Sequence, residues 1–230
     1  MLFREEDENE ETLPFENRAE AGRILAGKLS AYAGRDDLIV AGLARGGVVV
    51  AFEIARALRA PLEVLVVSTL GSSGQKELAM GAIAADGVQV LDRDVVRHLA
   101  VSDDEMKETA RAESLELQRR EQVYRRGRLP LPVAGRAVIL VDDGIATGSS
   151  TLAAIETLRR KQAAHVVVAV PVASVSVCSA IGIAADELIC LEEPESLQAI
   201  SQWYEDFSEV SDDEVCRLLA EANQALPAAA

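Results

Sequence analysis

The sequence predicts an α/β fold: a mainly parallel five-stranded sheet with helices on both faces. Three observations lead there. Short apolar runs rich in Val, Ile and Leu recur along the chain without polar alternation, as strands buried on both faces do. These runs alternate with stretches of helical periodicity, the order that winds a parallel sheet. The length of 230 residues, with 49% apolar and 27% charged residues, fits a globular chain, which at this size buries roughly 70% of its unfolded surface. Aromatic residues are only 3%, so Val, Leu, Ile and Ala must fill the core.

In chain order, Glu5 to Glu11 is almost wholly acidic and reads as a solvated tail. Residues 1–14 are therefore expected to be a flexible extension of a single domain spanning 15–230. Ala21, Ile24, Leu25, Leu29 and Tyr32 recur at helical spacing, and Gly34 stops that helix. LIVAGL (Leu38 to Leu43) is the first strand, followed by Ala44-Arg45-Gly46-Gly47 and a helix from Val48 to Leu58 that Arg59-Ala60-Pro61 closes. LEVLVVS, from Leu62 to Ser68, reads as one continuous second strand, with a polar turn from Gly71 to Gln75. Met80 to Ala84 and Val88 to Leu91 flank Asp86-Gly87, a strong hairpin signal.

A long charged helix follows, Asp103 to Arg126. Its acid-first pairs four residues apart, Asp103–Lys107, Glu116–Arg120 and Glu121–Arg125, have the favourable order. Leu129-Pro130-Leu131-Pro132 ends it. AVILV opens the third core strand at Ala137, and the helix after it runs through Arg160. His165 to Ala173 is the fourth strand and Glu187 to Leu191 the fifth. Ser211-Asp212-Asp213-Glu214 forms a capping box for a closing helix that reaches Leu226. The inserted hairpin and long helix occupy about 76–130, and a small C-terminal hood about 192–226.

Charge narrows the function. Thirty-eight acidic against 23 basic residues give a net charge of −15, which disfavours nucleic acid as a partner. Small anions remain open, because local backbone geometry holds them rather than overall charge. The N-terminus is acidic where a signal peptide is basic and then apolar, and no uncharged run approaches the ~18 residues of a membrane span. The expectation is a soluble cytoplasmic protein with no membrane partner. Cys178, Cys190 and Cys216 form no CxxC and read as buried, reduced thiols. The sequence leaves the oligomeric state open, a homo-oligomer included.

In an open α/β sheet, ligands bind beyond the carboxyl ends of the strands. Val138 to Thr151, VILVDDGIATGSST, is the strongest such segment: an apolar strand, the acidic pair Asp142-Asp143, and a loop of small and hydroxyl residues entering a helix. Small residues let backbone N–H groups close on an anion, and the helix N-terminus adds partial positive charge. Two carboxylates beside a phosphate cradle would repel it unless they grip something neutral or cationic. Sugar hydroxyls, or a metal carried by the substrate, fit that requirement, and a phosphate cradle with a diol grip points to a ribose 5-phosphate. Both aspartates are expected in an exposed loop. Other chemistries lack their signatures: no GxxxxGK[ST], GxGxxG or GxSxG occurs, and the two histidines, His98 and His165, lie outside both loops.

VILVDDGIATGSS resembles the phosphoribosyl-diphosphate (PRPP) binding signature of type I phosphoribosyltransferases. NRAEAGRILAGKL, LARGGVVVA, ELAMGAI, VAVPVAS and YEDFSEVSDDEV resemble one branch of that superfamily, so the similarity spans roughly Phe15 to Leu219. The resemblance implies that Asp142 and Asp143 bind the ribose hydroxyls. It implies that Ile145, Ala146, Thr147, Gly148, Ser149, Ser150 and Thr151 surround the 5-phosphate. Ala44, Arg45, Gly46 and Gly47 correspond to the diphosphate loop, where relatives often carry a non-proline cis peptide. The implied reaction is displacement of diphosphate from PRPP by a nitrogenous acceptor, with Asp142, Asp143 and Arg45 as catalytic residues. Mg²⁺ would be held mainly by the substrate, with no direct protein cage. A non-catalytic PRPP- or nucleotide-binding regulator is the alternative.

Departures accompany the resemblance. Ala146 stands where enzymes acting on 6-oxopurines usually carry Asp, which disfavours a hypoxanthine-guanine activity. Ser68-Thr69 replaces a basic pair common in relatives, and Lys76 lies a few residues on. The helix from Asp103 sits where relatives place a mobile cover; it reads as a solvated helix packed on the domain edge or as a lid whose basic end, Arg119, Arg120, Arg125, Arg126 and Arg128, reaches an anion. Trp203, Tyr204 and Phe207 suit either a hood over a base or core packing.

Overall fold

The computed structural model describes residues 15–72, 75–98 and 101–224. The acidic segment 1–14 lies outside them. In chain order the elements are β1 (Phe15–Asn17), α1 (Arg18–Lys28), β2 (Leu38–Leu43), α2 (Gly46–Leu58), β3 (Leu62–Leu65), β4 (Val67–Ser72), β5 (Gln75–Ala84) and β6 (Gln89–Leu91). Next come α3 (Arg93–His98), α4 (Asp103–Arg125), β7 (Ala137–Val141), α5 (Ser149–Arg160), β8 (His165–Val172), α6 (Val175–Ala184), β9 (Glu187–Glu192), β10 (Tyr204–Asp206) and α7 (Asp212–Gln224).

Five strands form the expected parallel sheet, in the order β3-β2-β7-β8-β9. Their side chains alternate between two cores, which is why the sequence shows no polar alternation. Leu38, Val40, Ile139, Val141 and Val167 join Leu25, Val50, Ile54 and Leu218 of α1, α2 and α7 on one face. Ile39, Ala41, Val138, Leu140 and Val168 join Ile155, Leu158 and Ile181 of α5 and α6 on the other. Counted along the chain, the strand order is second, first, third, fourth, fifth. It reverses between β2 and β7, so the carboxyl ends of those two strands flank the topological switch point where ligands bind in such sheets.

The run expected as a single strand from Leu62 to Ser68 is divided. Leu62–Leu65 pair in parallel with Val40–Leu43, whereas Val67–Ser72 leave that sheet and run antiparallel to β5. An unbroken apolar run reports burial, not the identity of the pairing partner. Ser68 and Thr69 therefore sit opposite Ile83 and Ala82 inside a second sheet, β4-β5-β6. The Asp86-Gly87 hairpin is present, with Gly87 at φ +85° and its N–H on the Ala84 carbonyl at 2.9 Å. Of the turn expected over Gly71–Gln75, Gly71 and Ser72 end β4 and Gln75 opens β5; Ser73 and Gly74 lie outside the described residues.

Helix α4 packs on the second sheet and on α7, burying Ala110, Leu117 and Tyr124. The Tyr124 hydroxyl donates to Asp212 at 2.7 Å. Arg125 is enclosed between Glu121 (2.9 Å) and Glu63 (3.4 Å), and Arg119 and Arg120 both engage Glu116. Its basic end is thus tied to neighbouring acids, while Arg128 donates to the Leu219 carbonyl. The Asp103 side chain lies outside those described; Lys107 instead meets Asp104 at 3.5 Å. His165, at the start of β8, faces Asp186 at 3.5 Å, away from both loops.

The hood joins distant parts of the chain. β1 pairs in parallel with β10, setting Phe15 beside Tyr204 and Asn17 beside Asp206. Tyr204 contacts the rings of Phe15 and Phe207 at centroid separations of 5.5 and 5.0 Å. Among the described residues, no helix is long and apolar enough to cross a membrane.

Candidate active site

The two loops singled out in the sequence leave neighbouring strands and meet. Gly42 of β2 is in register with Val141 of β7, so the chain emerges side by side at both places. Only Ala44 and Arg45 separate β2 from α2, and the peptide bond between them is cis. Helix α2 opens at Gly46, two residues earlier than expected, so both glycines lie in its first turn. Neighbouring backbone explains the glycines. A Cβ on Gly47 would stand 2.7 Å from the Val141 carbonyl and 2.8 Å from Asp142 Cα, and one on Gly46 would fall on the Asp143 carboxylate.

The acidic pair is not in an open loop. The Asp143 side chain is 14% exposed and accepts a 2.6 Å bond from Nε of Arg18, itself 10% exposed. Arg18 also donates to the Ser208 carbonyl at 2.8 Å, and its guanidinium carbon lies 3.7 Å from the Phe207 ring centroid. The buried Tyr204 hydroxyl donates to the Asp143 carbonyl at 2.6 Å. Asp142 accepts the Asp143 N–H at 2.9 Å. Burial, and then the neighbouring Asp143 carboxylate, hold the Asp142 carboxyl well above the usual carboxylate range.

Arg18 is the residue that sequence reasoning missed. A signal was there: it is the first residue of α1, after the Asn17 cap, where the helix dipole disfavours a cation. An arginine at that position needs a carboxylate from elsewhere.

The loop before α5 divides into parts. Ile145 is buried and its N–H donates to the Val172 carbonyl at 2.9 Å, so that amide is committed to the sheet rather than available to a ligand. Ala146 and Thr147 are exposed, Ser149 and Ser150 half-buried, and Thr151 buried in the first turn of α5. The first helical bond runs from Leu152 N–H to the Gly148 carbonyl, so the amides of Ser149, Ser150 and Thr151 have no acceptor within the helix. Gly148, the N-cap, adopts φ +82°, and the nearest atoms to a Cβ there are at 3.5 Å. Glycine is required by conformation there, not by lack of space.

Arg45 is exposed and pairs with Glu209 of the hood at 2.6 Å. Ser68 and Thr69 carry no charge, and the Lys76 side chain lies outside those described. Among the described residues no cluster of three metal-ligating groups includes Asp142 or Asp143.

An open parallel sheet whose order reverses between β2 and β7, with α2 and α5 entered from the carboxyl ends of those strands, defines an α/β protein of the doubly wound class. The chain belongs to the phosphoribosyl transferase family: the family described as "Phosphoribosyl transferase domain" matches residues 9–178. It is similar to the Mycobacterium tuberculosis H37Rv protein named "Putative phosphoribosyl transferase Rv0571c", with 45% identity over 210 residues, covering 91% of this chain and 47% of that protein. A protein of M. tuberculosis CDC 1551 matches to the same extent. The chain thus spans about half the length of the curated relatives it matches. The crystal structure of TT1426 from Thermus thermophilus is similar over 91% of this chain and 99% of that one, with 38% identity and a TM-score of 0.76.

Proposed function

We propose that the chain transfers the phosphoribosyl group of PRPP to a nitrogenous acceptor, a nucleobase or related compound, releasing diphosphate. One observation carries this reading: at the switch point the first turn of α2 packs against the acidic pair, with Gly46 beside Asp143 and Gly47 beside Asp142. The 5-phosphate lies at the N-terminus of α5, facing the amides of Ser149, Ser150 and Thr151 and the hydroxyls of Thr147, Ser149 and Ser150. The diphosphate faces the first turn of α2 and Arg45, and Asp142 and Asp143 hold the ribose hydroxyls between them. The acceptor nitrogen forms a bond to C1 as the C1–oxygen bond to diphosphate breaks, its electron pair leaving on diphosphate. Positive charge grows on the ribose during this displacement, and the aspartates and Arg45 stabilise the separating charges.

Mg²⁺ suits this donor set as a substrate-carried ion. Asp142 has no Lys or Arg ion-pair partner among the described residues, and a carboxylate is a hard oxygen donor suited to an ion that keeps most of its ligands from substrate and water. Asp142 would help hold the substrate-carried Mg²⁺, which would supply positive charge beside the leaving diphosphate. The exposed Ala146 offers no group for proton exchange with a 6-oxopurine, which favours another acceptor. A PRPP- or nucleotide-binding regulator is the second reading, favoured by the engagement of both arginines, Arg18 with Asp143 and Arg45 with Glu209. Diphosphate release from PRPP and Mg²⁺ over a panel of purines, pyrimidines and small amines separates the two. Release with one acceptor supports transfer, and tight PRPP binding without turnover supports the regulator. Absence of heat on titrating PRPP or any nucleoside monophosphate with Mg²⁺ overturns both.

A further inference from the structure

Away from the aspartates, Cys178 of α6 and Cys190 of the edge strand β9 approach one another beside Glu193, just past the end of that strand. Both sulfurs and a Glu193 carboxylate oxygen lie within 4.8 Å of one another, the only such group of three among the described residues. Cys178 is buried, Cys190 half-buried and Glu193 exposed, so the cluster opens to solvent on its carboxylate side. The sulfurs lie 3.7 Å from the Ala173 carbonyl and 3.2 Å from the Glu192 carbonyl, respectively. Burial raises both thiol pKa values, so without a bound cation the pair stays protonated.

We propose that Cys178, Cys190 and Glu193 form a binding site for a thiophilic divalent cation of the Zn²⁺ class. Two thiolates and one carboxylate supply three of four tetrahedral positions, and the exposed side leaves the fourth to water. Binding releases the two thiol protons to solvent, and the cation balances the charge left on the sulfurs. Oxygen-seeking Mg²⁺ is a poor match for this donor set. The site also has a structural consequence. Val177 and Ile181, on either side of Cys178 along α6, are the nearest side chains to the Gly148 cap, and Ala173 bridges to Ile145. A cation joining α6 to β9 therefore braces the wall against which the loop before α5 rests.

Co²⁺ serves as the spectroscopic probe on the intact chain, with a phosphine reductant, followed by Zn²⁺ competition. The wild type and Cys216→Ser should bind one Co²⁺, show thiolate-to-metal charge transfer and a tetrahedral d–d spectrum, and lose both signals on adding one equivalent of Zn²⁺. Cys190→Ser should abolish the charge-transfer band, and the exposed Glu193→Gln should weaken binding about tenfold or more while circular dichroism confirms an unchanged fold. An octahedral spectrum without charge transfer in the wild type, or equal Zn²⁺ affinity in Cys190→Ser, overturns the proposal. PRPP plays no part in this readout, so the result is independent of the transfer reading.

Discussion

Asp142 and Asp143, adjacent and identical in type, are held in contrasting electrostatic surroundings. Asp143 faces a buried guanidinium, whereas Asp142 faces burial and a like charge. Between the ordinary carboxylate value and the raised one, the folded protein keeps a proton on Asp142 that the unfolded chain has lost. Stability therefore falls as pH climbs through that window. Asp142→Asn should remove this slope and raise Tm at neutral pH. Asp143→Asn should act oppositely, since it leaves Arg18 enclosed without its counter-charge. Removing one partner of a buried pair costs about 3 kcal/mol, roughly 6–12 °C in Tm for a chain of this size. Both variants should weaken PRPP binding in calorimetry, so Tm and affinity should separate in the first and fall together in the second. The acidic pair was legible as a motif; its electrostatic asymmetry was not, because the deciding cation is 125 residues away in sequence.

Helix amino termini set the geometry of both loops, and the glycines there differ in kind. Gly47 is confined by the Val141 carbonyl and the Asp142 backbone, whereas Gly148 has room but a left-handed backbone. For Gly148→Val the structure assigns a cost to backbone conformation, since Gly148 sits at φ +82°. Holding a side chain in that region costs about 1–2 kcal/mol, measurable as a lower Tm, and misdirection of the α5 amides should lower PRPP affinity as well. Gly148→Ala should show part of the same loss, because the left-handed backbone penalises any Cβ. The core strands and the long helix were readable because apolar runs and helical periodicity are local signals. The division of Leu62–Ser68 between two sheets was not, since pairing partners are chosen by the whole fold. Helix α6 carries apolar residues on both its buried and exposed sides, Ile181 and Ile183 among them, and so presents no clear helical stripe.

Across the whole molecule, the hood fastens the two ends of the described chain over the candidate site. β1 and β10 pair, Arg18 reaches Asp143 and Ser208, Tyr204 reaches the Asp143 carbonyl, and Glu209 reaches Arg45. A ligand seated between these parts stabilises the folded state by mass action. PRPP with Mg²⁺ at 100 times its Kd should add about 2.7 kcal/mol, or roughly 5–11 °C in Tm, and the Asp142→Asn/Asp143→Asn double variant should show little of that rise. The layered α/β architecture, the two strand-to-helix loops and the phosphoribosyltransferase resemblance were all legible in the amino-acid order, because each is written in contiguous residues. Tertiary structure alone decided that Arg18 neutralises Asp143, that the Ile145 amide belongs to the sheet, and that two cysteines converge on Glu193. Those outcomes depend on which distant segments pack together, and sequence spacing does not encode such proximity.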